Sequence, residues 1–246
     1  MSCNKKTYEK RSSSPKLLFG DVGTTAWKQN WFLDGIQAKV INTQEGIELI
    51  AGPRFGSDSS HAVLWTKKSF KGNICIEYDY TRTDTTTRAV NILYFHATGK
   101  GGKEFPKDIS LWNDKRTVPQ MSLYFNNMNA YHISYAAFSA KEYSGDNDYI
   151  RLRIYNPSDK GLLGTEVKGD YFKTGLFKTD ITYHVKVFKH TDKIKMHIEN
   201  KNNSSEYLNC EWDISNLPSY NEGRIGFRQM FTRKARYKNI KVWELK

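Results

Sequence analysis

Short runs in which apolar and polar side chains alternate, or in which apolar residues stand together, recur along most of this chain. They read IQAKVI, GIELIAG, AVLW, NICIEYDYTR, AVNILYFHATG, MSLYFNN, AYHISYAAF, DYIRLRIYN, TYHVKVFKH, KIKMHIENK, RIGFRQM and YKNIKVWEL. A period of two sends successive side chains to opposite faces, so each run predicts a strand, and turn residues separate them. No segment keeps a helical period over about a dozen residues. Many short strands without intervening helices predict a β-sandwich or barrel rather than βαβ units. No internal repeat and no Pro/Gly-rich boundary interrupts the series, so residues 17–246 are expected to form one all-β domain. Residues 1–16 are polar, Ser-rich and aperiodic, as a flexible tether would be.

Two stretches break the cadence, residues 99–120 and 156–175. Loops of this length inside a small domain usually carry function. The first holds Trp112 and is expected to be a rim loop that covers a site.

The same alternation sorts side chains by face. In DYIRLRIY, Ile150, Leu152 and Ile154 form the apolar side, which leaves Tyr149, Arg151, Arg153 and Tyr155 on the other. In AYHISYA, His132 and Ser134 oppose Tyr131, Ile133 and Tyr135; in GRIGFRQM, Arg228 opposes Ile225 and Phe227. His61 and Trp65 share a face of HAVLW. One sheet face carrying His61, His132, Ser134, Arg151, Arg153 and Arg228 would be a cationic groove. Gln229 and Tyr135 have the opposite parity to Arg228 and His132 and join them only if a bulge intervenes.

The order of features resembles the concanavalin A-like jelly roll, and within it the YesU-like family, a domain of unknown function. The residues that carry the likeness are Trp31, Asp34 and Gly35 of W-x-x-DG, then HAVLW, ILYFHATGKGG, AYHISY and GRIGFRQM with ARYKNIKV. The resemblance implies a single jelly-roll β-sandwich with its ligand on a concave sheet face, in the context of bacterial polysaccharide degradation.

Chemistry narrows the options. Retaining glycosidases need two carboxylates about 5–5.5 Å apart; Glu77 and Asp79 are two residues apart, but Arg82 stands where a third acid would complete a laminarinase-like motif, so both are expected on a solvated face. A polysaccharide lyase needs a cation or amide on the uronate carboxylate, a base for the C5 proton and an acid for the leaving oxygen. Under that expectation His132 is the base, Tyr135 the acid, Arg228 and Gln229 the carboxylate clamp and Arg151 a subsite cation, with His61, Trp65, Ser134 and Arg153 completing the substrate site. The alternative is a lectin-like module without turnover, in which the same arginines hold sugar acids and Trp65 or Trp112 stacks on a ring.

Charge and cysteine content refine the partner. With 38 basic against 26 acidic residues the net charge is +12, which favours a polyanion. No nucleic-acid motif accompanies it, so an acidic polysaccharide is the expected partner. No metal-ligand spacing is present and no cofactor is expected, a structural calcium at the sandwich rim being the one exception the fold admits. Cys75 and Cys210 lie in strand-like runs. Cys3, in SCNKK, resembles the lipidated residue of a bacterial lipoprotein, which implies the periplasm or envelope of a Gram-negative cell and a membrane contact through that anchor alone.

Overall fold

The computed structural model describes residues 15–139, 145 and 147–246. Cys3 and residues 1–14 of the expected tether therefore lie outside the described residues. The alternating runs fold as strands: β1 (Lys16–Asp21), β2 (Trp31–Asp34), β3 (Lys39–Thr43), β4 (Gly46–Ile50), β5 (Ala62–Thr66) and β6 (Phe70–Lys71) come first. Then follow β7 (Ile74–Arg82), β8 (Asn91–Gly99), β9 (Met128–Ala137), β10 (Tyr149–Tyr155) and β11 (Tyr171–Phe172). The last are β12 (Thr182–Lys189), β13 (Lys193–Asn200), β14 (Asn203–Asp213), β15 (Glu222–Gln229) and β16 (Lys234–Glu244).

They assemble into two sheets. The first runs β14-β13-β12-β7-β16-β4-β3, with β1 also on β16; the second runs β11-β10-β9-β8-β15-β5-β2, with β6 also on β15. Each ladder is antiparallel. Strands distant in sequence become neighbours, β7 with β16 and β8 with β15. This is the concanavalin A-like jelly-roll sandwich that the sequence predicts.

The space between the sheets is filled from both sides at alternate positions. Ile76, Tyr78, Val185, Val187, Met196 and Ile198 come from the first sheet; Leu64, Leu93, Ile133, Leu152, Ile225 and Phe227 come from the second. Phe227 stacks on Tyr237 at 4.2 Å between ring centroids, tying the sheets together at their centre. Cys75 and Cys210 are buried thiols that burial pushes up to about 12, so they pack as small apolar groups.

One expected strand is a helix. MSLYFNN was read by alternation, yet Met121–Phe125 forms a short α-helix, α1. Met121, Tyr124 and Phe125 stand at i, i+3 and i+4, and that spacing turns all three toward one apolar cluster on the second sheet. Packing on that sheet outweighs the local alternation. Helix α1 belongs to an excursion over residues 100–127, with 3-10 turns at Ile109–Trp112 and Asp114–Arg116, that lies on the outer face of the second sheet.

Candidate functional site

The second sheet has two burials, one per face. Its inner residues enter the core, while Val63, Trp65, Ile92, Tyr94, Ala130 and Tyr155 of the outer face form a second apolar cluster with Ile109, Trp112 and Tyr124 of the excursion. Trp65 lies flat in this cluster, stacked on Tyr94 at 5.4 Å and on Tyr124 at 6.5 Å. Gly226 makes that possible: a Cβ there would meet the Trp65 ring at 2.4 Å. Trp65 is thus a buried support of the site.

A single carboxylate fixes the excursion. Oδ2 of Asp34 accepts hydrogen bonds from Trp65 Nε1 at 2.8 Å, Arg116 Nε at 2.6 Å and the Tyr124 hydroxyl at 2.8 Å, and Oδ1 accepts one from Asn113 Nδ2 at 2.5 Å. Asp34 and Arg116 are both buried, and Arg116 stacks on Trp112. At the far edge Arg224 pairs with Asp108 at 2.8 Å.

Parity placed seven of the nine predicted residues on this face, and the structure brings them together there. His132 is hydrogen-bonded through both ring nitrogens, Nδ1 to the Tyr155 hydroxyl at 2.6 Å and Nε2 to Ser134 Oγ at 2.8 Å. Burial first, and then Arg153, Arg228 and Arg151, hold its pKa well below the usual imidazole value. The ring is therefore neutral at pH 7, one nitrogen donating and the other accepting. Burial, and next Tyr94, pushes the Tyr155 phenol well above its ordinary value, so it remains a hydroxyl.

Arg228 is wholly buried. Its Nη2 donates to His61 Nδ1 at 2.7 Å and to the Pro119 carbonyl at 2.5 Å, and the guanidinium lies 4.6 Å above the Tyr124 ring. Burial and then the Arg228 charge lower the His61 pKa to about 3. A neutral imidazole facing a guanidinium N–H accepts at Nδ1, which leaves the proton on Nε2.

Toward β10 and β11 the row opens to solvent. Arg151 donates through Nε at 2.7 Å and Nη2 at 2.5 Å to Oδ2 of Asp170; Arg153 meets Glu166 at 2.7 Å and Thr165 Oγ1 at 3.0 Å. The Arg151–Asp170 pair is half-buried, and in the other pair Arg153 is half-buried while Glu166 is exposed. Arg151 also lies 5.1 Å above the Tyr149 ring. Opposite Tyr149 in the ladder stands Phe172, with 62% of its surface exposed. The expected loop 156–175 thus supplies Thr165, Glu166, Asp170 and Phe172 to this end of the face.

Two expected residues are elsewhere. Against β8 the register runs unbroken from His132 to Tyr135, so Tyr135 keeps its opposite parity: it is in the core, its hydroxyl 3.2 Å from that of Tyr237. Gln229 is there too, donating to the Tyr237 hydroxyl at 2.8 Å. Neither reaches the face that holds His132 and Arg228, so the acid and half of the clamp assigned from sequence are on the wrong side of the sheet. Tyr155 occupies the place beside His132 instead. Tyr94 and Arg116 are site residues that the sequence does not single out, and Asp34 and Tyr155, though named there, carry no expected role; Tyr94 shares outward parity with Ile92, as Tyr155 does with Arg153, which is the signal that could have found it.

Glu77 and Asp79 are on the outer face of the first sheet, joined by His184 at 3.0 and 2.8 Å, and Asp79 also accepts from Lys201 at 2.7 Å. They are held in ion pairs rather than freely solvated, and the whole sandwich separates them from His132. Among the described residues no three His, Cys, Asp or Glu side chains are grouped to hold a metal ion.

Comparison with known proteins places this geometry. A search of curated proteins found no match. A solved Bacillus subtilis protein of unknown function with a galectin-like fold is similar at 19% identity and a TM-score of 0.68, over 93% of this chain and 96% of that one. A legume lectin-like domain from Entamoeba histolytica aligns at 9% identity and a TM-score of 0.56, over 89% and 92%. The VIP36 exoplasmic/lumenal domain, solved with calcium and mannose, aligns at 14% identity and a TM-score of 0.56, over 87% and 83%. These likenesses confirm the lectin-like sandwich. The family profile described as a domain of unknown function, DUF1961, matches residues 22–242, and the chain belongs to that family.

Proposed function

We propose that this protein binds carbohydrate, without cleaving it, on the outer face of its second sheet, and that the glycan carries acidic groups. The observation that carries the reading is the open end of that face. Exposed Phe172 stands beside Tyr149, and next to them Arg151–Asp170 and Arg153–Glu166 present fixed donors and acceptors side by side. An aromatic face covers the C–H surface of a sugar, while neighbouring donors and acceptors match hydroxyls that do both. Lectin-like solved relatives, one of them holding mannose, support the class of ligand. The net charge of +12 supports the acidic part. Lipidation of Cys3 and a place in the bacterial envelope belong to the same proposal.

Isothermal titration with oligosaccharides of uronate and of neutral hexose tests the reading. Binding is expected for the acidic series and a loss of about tenfold or more in Arg153→Ala; saturable binding of neither series rejects it. A cleaving enzyme is the second reading, favoured by one observation, the 2.6 Å contact of His132 with Tyr155. Both side chains are buried beneath the outer-face cluster, so the account expects no unsaturated product from any uronate polymer. Product that appears with wild type and disappears with Tyr155→Phe would establish the lyase instead.

A further inference from the structure

We infer that Arg228 is a closed subsite for the carboxylate or sulfate group of an acidic glycan, and that the Pro119 carbonyl stands in for that group until the ligand displaces it. The inference deepens the carbohydrate reading above and rests on it. Four other arginines on or over this face each have an acid: Arg116 has Asp34, Arg151 has Asp170, Arg153 has Glu166 and Arg224 has Asp108. Arg228 has no carboxylate within ion-pair distance among the described residues, although it is the most deeply buried on the sheet. Its Nε and Nη1 find no acceptor there either, and neither does Nε2 of His61, the nitrogen that carries the proton. Water can satisfy such N–H groups but cannot neutralise the charge. A buried guanidinium without a counter-charge is costly to keep, and a carboxylate would supply both the charge and a fork-shaped pair of acceptors.

The cover over Arg228 is thin. Pro119 is buried with its carbonyl on Nη2, while Val118 and Gln120 on either side are exposed. Gln120 N–H donates back to the Val118 carbonyl at 2.9 Å, so the cover is a three-residue turn rather than a packed element. The rest of the excursion is fastened independently at Asp34 and Asp108. Moving the turn alone frees Nη2 of Arg228, with the Tyr124 ring still against the guanidinium. From β10 to β15 there are three strand spacings, about 14 Å, which a short oligosaccharide can span from Arg153 to Arg228.

Hydrogen-exchange mass spectrometry on the intact protein tests this, with a galacturonate tetramer and its methyl ester as probes. The acid tetramer is expected to speed exchange severalfold in peptides covering residues 117–126, the ester not at all. Arg228→Lys should abolish the response, and Lys234→Ala, at the start of β16 in the first sheet, should keep it. Arg228→Met supplies a second readout: removing an uncompensated charge should leave the melting temperature equal or higher. A fall of about 10 °C or more would show that the arginine is a structural brace and overturn the subsite. Titrated binding of the acid tetramer with no change at residues 117–126 would also overturn it while leaving the carbohydrate reading intact. Absence of binding by both probes would defeat that reading, and the subsite with it.

Discussion

At the scale of single residues, the site is built from groups whose charge is set by burial. Burial first, and then a neighbouring cation, lower the pKa of His61 to about 3 and, elsewhere on β8, of His96 to about 4, and burial holds that of His132 well below normal. An unfolded histidine titrates near about 6.5. Below that pH the unfolded chain takes up protons that the folded protein refuses, so stability falls as pH drops, and above it these groups contribute no slope. Calorimetry should therefore show a flat melting temperature from pH 8 to 7 and a steady decline from about 6.5 to 5. His96→Gln should flatten part of the decline; an unchanged melting temperature across the range would contradict the neutral assignment. The parity of alternating positions was sufficient to put His61, Trp65, His132, Ser134, Arg151, Arg153 and Arg228 on one face. It could not show their partners, because Asp34, Glu166 and Asp170 come from distant segments and no local pattern links them to those arginines. Tyr135 and Gln229 followed parity as well; the β9–β8 register runs unbroken from His132 to Tyr135 and the β15–β8 register from Arg228 to Gln229, and the irregularity of β9 against β10, over Tyr135–Ala136, comes too late to turn Tyr135 outward.

Among the elements, the excursion over residues 100–127 decides what the outer face can do. The sequence marked it as a long irregular stretch with Trp112 at its middle, and its place over the sheet matches that expectation. Its helix was hidden, since five residues are too few to establish a period against the alternation of MSLYFNN. Asp34 is the fastening point, accepting four hydrogen bonds through its two oxygens. Asp34→Asn would remove the charge that balances buried Arg116, and breaking a buried pair in this way costs about 3–5 kcal/mol. Urea unfolding should show that loss, with faster proteolysis of the excursion. A cost below about 1 kcal/mol would mean that the excursion is held by its apolar contacts alone.

Over the whole molecule, the two sheets present different outer faces. The first exposes ion pairs such as Lys186 with Glu77 and Lys201 with Asp79, and the second offers a covered half around Arg228 and an open half around Arg153 and Phe172. An excess of twelve positive charges should draw acidic glycans from a distance, and salt should weaken that attraction over a screening length of about 8–10 Å. Affinity for a uronate oligosaccharide is accordingly expected to fall severalfold between about 50 and 300 mM salt, as titration at the two ionic strengths would show; salt-independent affinity would remove the acidic part of the proposal. The jelly roll was legible because strands of period two span the chain, whereas the choice of sheet for the ligand depends on long-range pairing that brings β10, β9, β8 and β15 side by side. That choice is the central claim, and amide chemical-shift mapping with a uronate tetramer tests it most directly. The account predicts that the largest shifts fall on Ser134, Arg151, Arg153, Asp170 and Phe172. Shifts centred instead on Asp79, Lys201 and Asn239 of the first sheet would contradict it.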